Sequence, residues 1–236
     1  IFRVSTRRAA RACRWDPHNP SELLCAFANS HELLCYDLGS NNPHNPSRIL
    51  RSGKGYQPQH GVSDIVLPPE SGYIAAAGRD GQLRVWDVRA RSPLVHESTT
   101  ATRSFTMGVR AQDRRAGAIA ALSASPDGMR LYAGTDEGCV LGWDIRSLAS
   151  TCCVVRASRA IYGGGGGIVG LSHHPCLRQT LLVQLANGAV LVVDGGPMEA
   201  VMAVRPPEHQ SAHYHNQQLQ QQASGEAAGS GGGDAG

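Results

Sequence analysis

The chain has 236 residues, of which 41% are hydrophobic and 17% charged, and it carries a formal net charge of +3. This length and composition suit one large domain or two small ones with a sizeable core, and they exclude a wholly disordered chain. The charge balance is too mild to point to nucleic acid, and no apolar run is long enough for a membrane-spanning helix. The sequence opens at Ile1 and is expected to be an internal piece of a longer protein. Its seven cysteines are odd in number, contain no Cys-x-x-Cys pair and lie mostly in apolar stretches. They are expected to be buried thiols in a reducing compartment, the cytoplasm or nucleus.

Four segments in chain order share one grammar. Each has an apolar strand, a turn, a second strand of small residues, a polar turn, and a third strand ending in an apolar or aromatic residue plus Asp. The first covers about 12–51, with Cys13, Trp15 and a third strand ending in Tyr36-Asp37. The second, about 62–98, holds Ala75-Ala76-Ala77-Gly78, then Asp80-Gly81, and ends its third strand in Trp86-Asp87. The third, about 119–156, contains Ser125-Pro126-Asp127-Gly128, a turn from Asp136 to Gly138, and Trp143-Asp144. The fourth, about 168–204, ends its third strand in Val193-Asp194. The closing aspartates Asp37, Asp87, Asp144 and Asp194 are 50, 57 and 50 residues apart. Short apolar runs at 47–51, 93–97, 152–156 and 200–204 supply a fourth, outer strand for each unit.

Trp86-Asp87 and Trp143-Asp144, the Asp-Gly-type turns before them and the Ser-Pro-Asp-Gly turn resemble the WD-repeat β-propeller family over about residues 12–204. The resemblance implies an all-β fold of four-stranded antiparallel blades, about four visible here and part of a larger, seven-blade ring. Residues 1–5 would then be the last strand of a preceding blade. It also implies structural roles for Asp80, Trp86, Asp87, Asp136, Trp143 and Asp144. Each Trp would be an apolar plate between blades whose indole N–H seeks a partner. Asp-Gly favours a tight hairpin with both central residues at positive φ. The family's hydrogen-bonded network also uses a Gly-His pair, which this sequence does not show at the blade starts, so apolar burial is expected to dominate blade packing. Residues 205–236, rich in Gln, His and Gly, read as a disordered tail.

A non-catalytic protein-interaction scaffold is the function this resemblance implies. Partners are expected to be other proteins, with no cofactor, metal, membrane or small-molecule substrate. The long insertions at 40–61 and 95–118 contain Tyr56, Arg103, Phe105 and Arg110, and aromatics and Arg dominate binding hot spots. Trp86-Asp87-Val88-Arg89 and Trp143-Asp144-Ile145-Arg146 resemble boxes found in substrate receptors of cullin-type ubiquitin ligases, which implies adaptor binding through Arg89 and Arg146 as an alternative. A nucleotide-binding enzyme is the alternative from another class: Gly165, Gly167 and Gly170 satisfy Gly-x-Gly-x-x-Gly. That motif needs a following helix, however, and the residues after it read as a strand. His173, His174 and Cys176, and His209, His213 and His215, lack the paired spacing of a zinc site. Arg3, Arg7, Arg8, Arg11 and Arg14 alternate with strand residues and read as a solvated face rather than a nucleic-acid surface.

Overall fold

The computed structural model describes residues 8–51, 61–69, 71–89, 94–99, 117–148, 153–156, 166–177, 179–195 and 199–204. The chain divides into two units, Ile1–Val204 and Arg205–Gly236, and all described residues lie in the first. Every regular element among them is a β-strand. The first sheet is β1 (Ala10–Trp15), β2 (Glu22–Phe27), β3 (Leu33–Asp37) and β4 (Arg48–Leu50). The second is β5 (Val62–Val66), β6 (Tyr73–Gly78), β7 (Gln82–Asp87) and β8 (Leu94–Thr99). The third contains β9 (Ile119–Ala124), β10 (Arg130–Thr135), β11 (Cys139–Asp144) and β12 (Cys153–Arg156), and the fourth β13 (Ile168–His173), β14 (Thr180–Leu185), β15 (Val190–Asp194) and β16 (Glu199–Val204). All neighbours within a sheet pair antiparallel in chain order. The first strands meet in sequence, β1 on β5, β5 on β9 and β9 on β13, as the inner strands of consecutive propeller blades do.

Three apolar layers separate the four blades. Leu24, Ala26, Leu33 and Cys35 of the first blade pack on Ile65, Ile74, Ala76 and Trp86 of the second. Ala75, Ala77, Leu83 and Val85 face Leu131, Ala133, Leu141 and Trp143 across the next gap. Tyr132 and Val140 meet Leu181, Val183, Leu191 and Val193 across the last. Both tryptophans therefore lie on the side of their blade that faces the preceding one. The Trp86 indole N–H donates to the Arg51 carbonyl at 3.0 Å, satisfying its one donor across the seam. Small residues in the second strand have a steric cause: a Cβ on Gly134 would stand 2.4 Å from Cγ2 of Ile168 in the next blade.

The hairpin turns differ from the sequence expectation. Gly81 N–H donates to the Gly78 carbonyl at 3.0 Å, so Gly81 closes a turn over 78–81 instead of occupying its centre. Its φ of 75° places it in the left-handed region, as a glycine following a type I turn must be if the strands are to rejoin with their natural twist. Gly138 and Gly188 repeat the arrangement. Between the first two strands of the third blade, Gly128 N–H donates to the Ser125 carbonyl at 2.9 Å. The Ser125 hydroxyl donates to Asp127 at 2.6 Å and accepts from Arg130 N–H. The cysteine expectation needs correction too. Cys35 and Cys139 are buried, but Cys13 and Cys176 are exposed.

Candidate interaction surface

Asp87 and Asp144 end the third strands of adjacent blades, and each is gripped by the arginine two residues later. Arg89 donates through Nε and Nη2 to the two carboxylate oxygens of Asp87, at 2.9 and 3.1 Å. Arg146 does the same to Asp144, at 3.0 and 2.7 Å. In both, the arginine's own backbone N–H also donates to the aspartate at 2.9 Å. These bonds hold the Asp87 carboxyl below its usual range and the Asp144 carboxyl at about 2. The result is one planar, charged fork repeated on two neighbouring blades, with both guanidiniums exposed. Arg89 also lies 5.5 Å from the ring centre of Tyr73. Tyr56, Arg103, Phe105 and Arg110 lie outside the described residues.

Among the described residues, the buried charged side chain lies elsewhere. Arg84, on β7, is 1% exposed, and its Nη2 reaches Asp80 Oδ2 at 2.5 Å and Gln82 Oε1 at 2.8 Å. Asp80 thus serves as counterion to an arginine that the sequence reading did not single out. Asp64, on β5, ties three blades together. Its Oδ1 accepts from Arg14 Nη2 on β1 at 3.0 Å, and its Oδ2 from Leu122 N–H on β9 at 2.9 Å. Ser63 spans one seam, its single hydroxyl proton donating to the Ile119 carbonyl of the next blade, with the Ala77 carbonyl also within reach at 3.1 Å. Polar ties therefore supplement apolar packing more than the missing Gly-His pairs led one to expect. Of the basic N-terminal residues, Arg8 and Arg14 are engaged by Glu32 and Asp64, as a solvated and locally paired face would be.

The remaining motifs have local structural roles. The chain passes from Gly166 and Gly167 straight into β13, so no helix presents its N-terminus to a phosphate. His174 Nδ1 accepts from the backbone N–H groups of Cys176 and Leu177, at 3.1 and 3.0 Å, closing the turn after β13. No group of three or more His, Cys, Asp or Glu fit to hold a metal occurs among the described residues. His173 is half-buried, tilted against Tyr132 with ring centres 5.6 Å apart, and its Nε2 has no hydrogen-bond partner. Burial pushes its pKa below the usual value, which the bond between Nδ1 and the His174 carbonyl opposes. Its neutral form is thus favoured in the fold, and the unfolded chain binds the proton more readily. Its contribution is present in full above the unfolded value of about 6.5 and is lost as pH falls through the folded one. The melting temperature should fall between about pH 7.5 and pH 5, and by less in His173→Phe. Equal pH dependence in the two proteins would show that His173 is not the group responsible.

Among the described residues, the large exposed apolar side chains other than Met129 lie on the first and fourth blades. Cross-strand partners share a face, so Cys13, Trp15, Leu23, Cys25, Leu34, Tyr36 and Ile49 share the outer face of the first blade, with Tyr36 buried there. Trp15 is 58% exposed. Leu182, Val192 and Met202 line the outer face of the fourth blade.

Comparison with known proteins agrees with this geometry. The family described as "Nucleolar protein 10-like, N-terminal domain", a β-propeller family, matches residues 1–161, more than half of the chain. The chain belongs to this family. The chain is also 25% identical over 92 residues to an uncharacterized WD repeat-containing protein of Schizosaccharomyces pombe, a match covering 39% of this chain and 15% of that protein. In fold it is similar to a chain in the crystal structure of the mitotic checkpoint complex, with a TM-score of 0.65 at 14% identity. That match covers 87% of this chain and 53% of the solved one, so the chain spans about half the length of the structure it resembles. The WD-repeat propeller assignment made from Trp86-Asp87 and Trp143-Asp144 holds.

Proposed function

We propose that this chain is a non-catalytic scaffold that displays its blade rim to partner proteins. The observation that carries this reading is the repeated Asp–Arg fork on the second and third blades. Two exposed guanidiniums are fixed in orientation by their own aspartates, so little side-chain freedom is left to lose when a partner docks. The same observation favours one finer reading, in which the partner is the adaptor of a cullin-type ubiquitin ligase. Co-purification with mass spectrometry of the full-length protein, wild type beside Arg89→Glu/Arg146→Glu, tests both. We expect the double variant to fold and to lose a stoichiometric partner. If that partner is the ligase adaptor, the finer reading stands; if every partner survives the double variant, the rim reading is wrong.

We further propose that the first and fourth blades are covered by further blades in a larger, seven-blade ring. The apolar outer faces support this, as does the partial span of the structural match. In the full-length protein, Trp15→Glu should then cost about 3 kcal/mol or more, as a buried aromatic does. An effect within about 0.5 kcal/mol would mark that face as open to solvent. The family's description points to the nucleus, and specifically the nucleolus, as the setting. Imaging of the tagged full-length protein should place it there, and a purely cytoplasmic signal would refute this.

A further inference from the structure

We propose that the outer face of the fourth blade receives the inner strand of a further blade, and that Ser172 ties the two by accepting a backbone N–H from that strand. This rests on the larger ring proposed above and names the contact that carries its next seam. Each described seam is bridged between inner strands by a polar side chain of the earlier blade. Arg14 on β1 reaches Asp64 on β5, Asp64 accepts from the Leu122 N–H on β9, and the Ser123 hydroxyl accepts from the His173 N–H on β13 at 3.1 Å. Ser172 stands in the fourth blade where Ser123 stands in the third. Ser123 pairs with Tyr132, one residue after the Leu131 that pairs with Trp143. Ser172 pairs with Leu182, one residue after the Leu181 that pairs with Val193. Trp143 and Val193 hold the same place in their third strands, so the two serines share one register and one side of the sheet. Ser123 is buried and Ser172 is exposed.

The chemistry of this face selects its occupant. Leu182 and Met202 supply exposed apolar area, and Ser172 and Gln184 stand among them as polar groups. Whatever covers the face must satisfy both. A helix laid there has its interior N–H groups already bonded within itself. The inner strand of a blade is an edge strand, with a row of N–H groups that its own ladder leaves unpaired, and the bond from His173 to Ser123 shows how such a group is met. Gln184 adds a requirement of size. Its place is held in the third blade by Gly134, where a Cβ would stand 2.4 Å from Cγ2 of Ile168 in the next inner strand. Gln184 folds over Gly170 instead, its Oε1 3.0 Å from where a Cβ on that glycine would lie. The incoming strand therefore carries a residue smaller than isoleucine at the place of Ile168, leaving room for the amide.

The test follows amide hydrogen exchange by peptide mass spectrometry in the full-length protein, for wild type, Ser123→Ala and Ser172→Ala. Ser123→Ala sets the scale: loss of its bond should speed exchange of the β13 peptide that holds His173 by about three- to tenfold. Ser172→Ala should produce a change of the same size in one inner-strand peptide of the covering blade. The ring is read separately by maleimide labelling of Met202→Cys, which should stay unlabelled while the protein is folded. Free labelling there would overturn the ring and the Ser172 contact with it. Protection at position 202, with no peptide of another blade responding to Ser172→Ala, would overturn the tie and leave the ring standing. A silent Ser123→Ala would overturn it as well, since the register argument starts from that bond.

Discussion

Asp80→Ala is expected to lower unfolding stability by about 3–5 kcal/mol, the usual cost of removing one partner from a buried ion pair. The side chain of Arg84 is almost wholly inside the second blade, while that of Asp80 retains 16% exposure at the turn. Removing the carboxylate takes a charged acceptor away from Arg84 Nη2 in the blade interior, where Gln82 Oε1 at 2.8 Å is a neutral one. Removing the arginine leaves an aspartate that water can still reach. Arg84→Met should therefore cost less than Asp80→Ala, and Asp80→Ala/Arg84→Met should recover most of the loss, since a well-packed apolar replacement avoids the desolvation penalty altogether. Urea denaturation of the three variants measures this ordering. Equal losses in the two single variants would mean that the pair is stabilised by something other than charge burial.

Asp64→Ala should cost about 2–4 kcal/mol through a different route. Its carboxylate accepts from Arg14 in the first blade and from the Leu122 N–H in the third, so one side chain closes two seams. Charge-assisted bonds contribute about 1.5–3 kcal/mol each when the donor cannot find water. Most of the loss should come from the Leu122 amide, because the side chain of Arg14 is half exposed and its ion pair contributes only about 0–1 kcal/mol. Arg14→Ala should accordingly cost less than about 1 kcal/mol. Amide hydrogen exchange gives the sharper readout, with Leu122 exchanging faster in Asp64→Ala and unchanged in Arg14→Ala. Equal protection of Leu122 in all three proteins would remove Asp64 from this role.

These two aspartates also mark where reading the sequence stopped. Trp86-Asp87 and Trp143-Asp144 were legible because a large indole next to an acid, at the end of an apolar strand and after a glycine turn, is a rare local pattern. Arg84 was not, for a reason rooted in the architecture. Alternation reports burial when one face of a sheet meets water, and an Arg between Leu83 and Val85 then reads as solvent-facing. A middle blade is covered on both faces, so β7 is buried at Leu83, Arg84, Val85 and Trp86 alike. Asp80, four residues earlier, was the available clue to its partner. The contacts of Asp64 had no local clue, since they join residues 50 and 58 positions away. The forks at Arg89 and Arg146 close over two residues, and the repeated Trp-Asp-x-Arg did draw attention to them. The cysteines as a set were expected to be buried, but Cys13 stands between Arg11-Ala12 and Arg14-Trp15 on β1 and is exposed.

The three apolar layers between four sheets set an order of loosening. Among the described residues, the second and third blades are each packed on both sides, while the first and fourth each meet one described neighbour. Such a stack behaves as a row of units coupled only to their nearest neighbours. In the 236-residue chain by itself, opening should start at the first and fourth blades and move inward, so amides of β2–β3 and β14–β15 should exchange through partial opening at low denaturant, and those of β6–β7 and β10–β11 only through global unfolding; closure of the proposed larger ring would remove that gradient. Asp64 stands at the crossing from the first blade to the third. It would act as the latch that keeps fraying of the first sheet from reaching the centre.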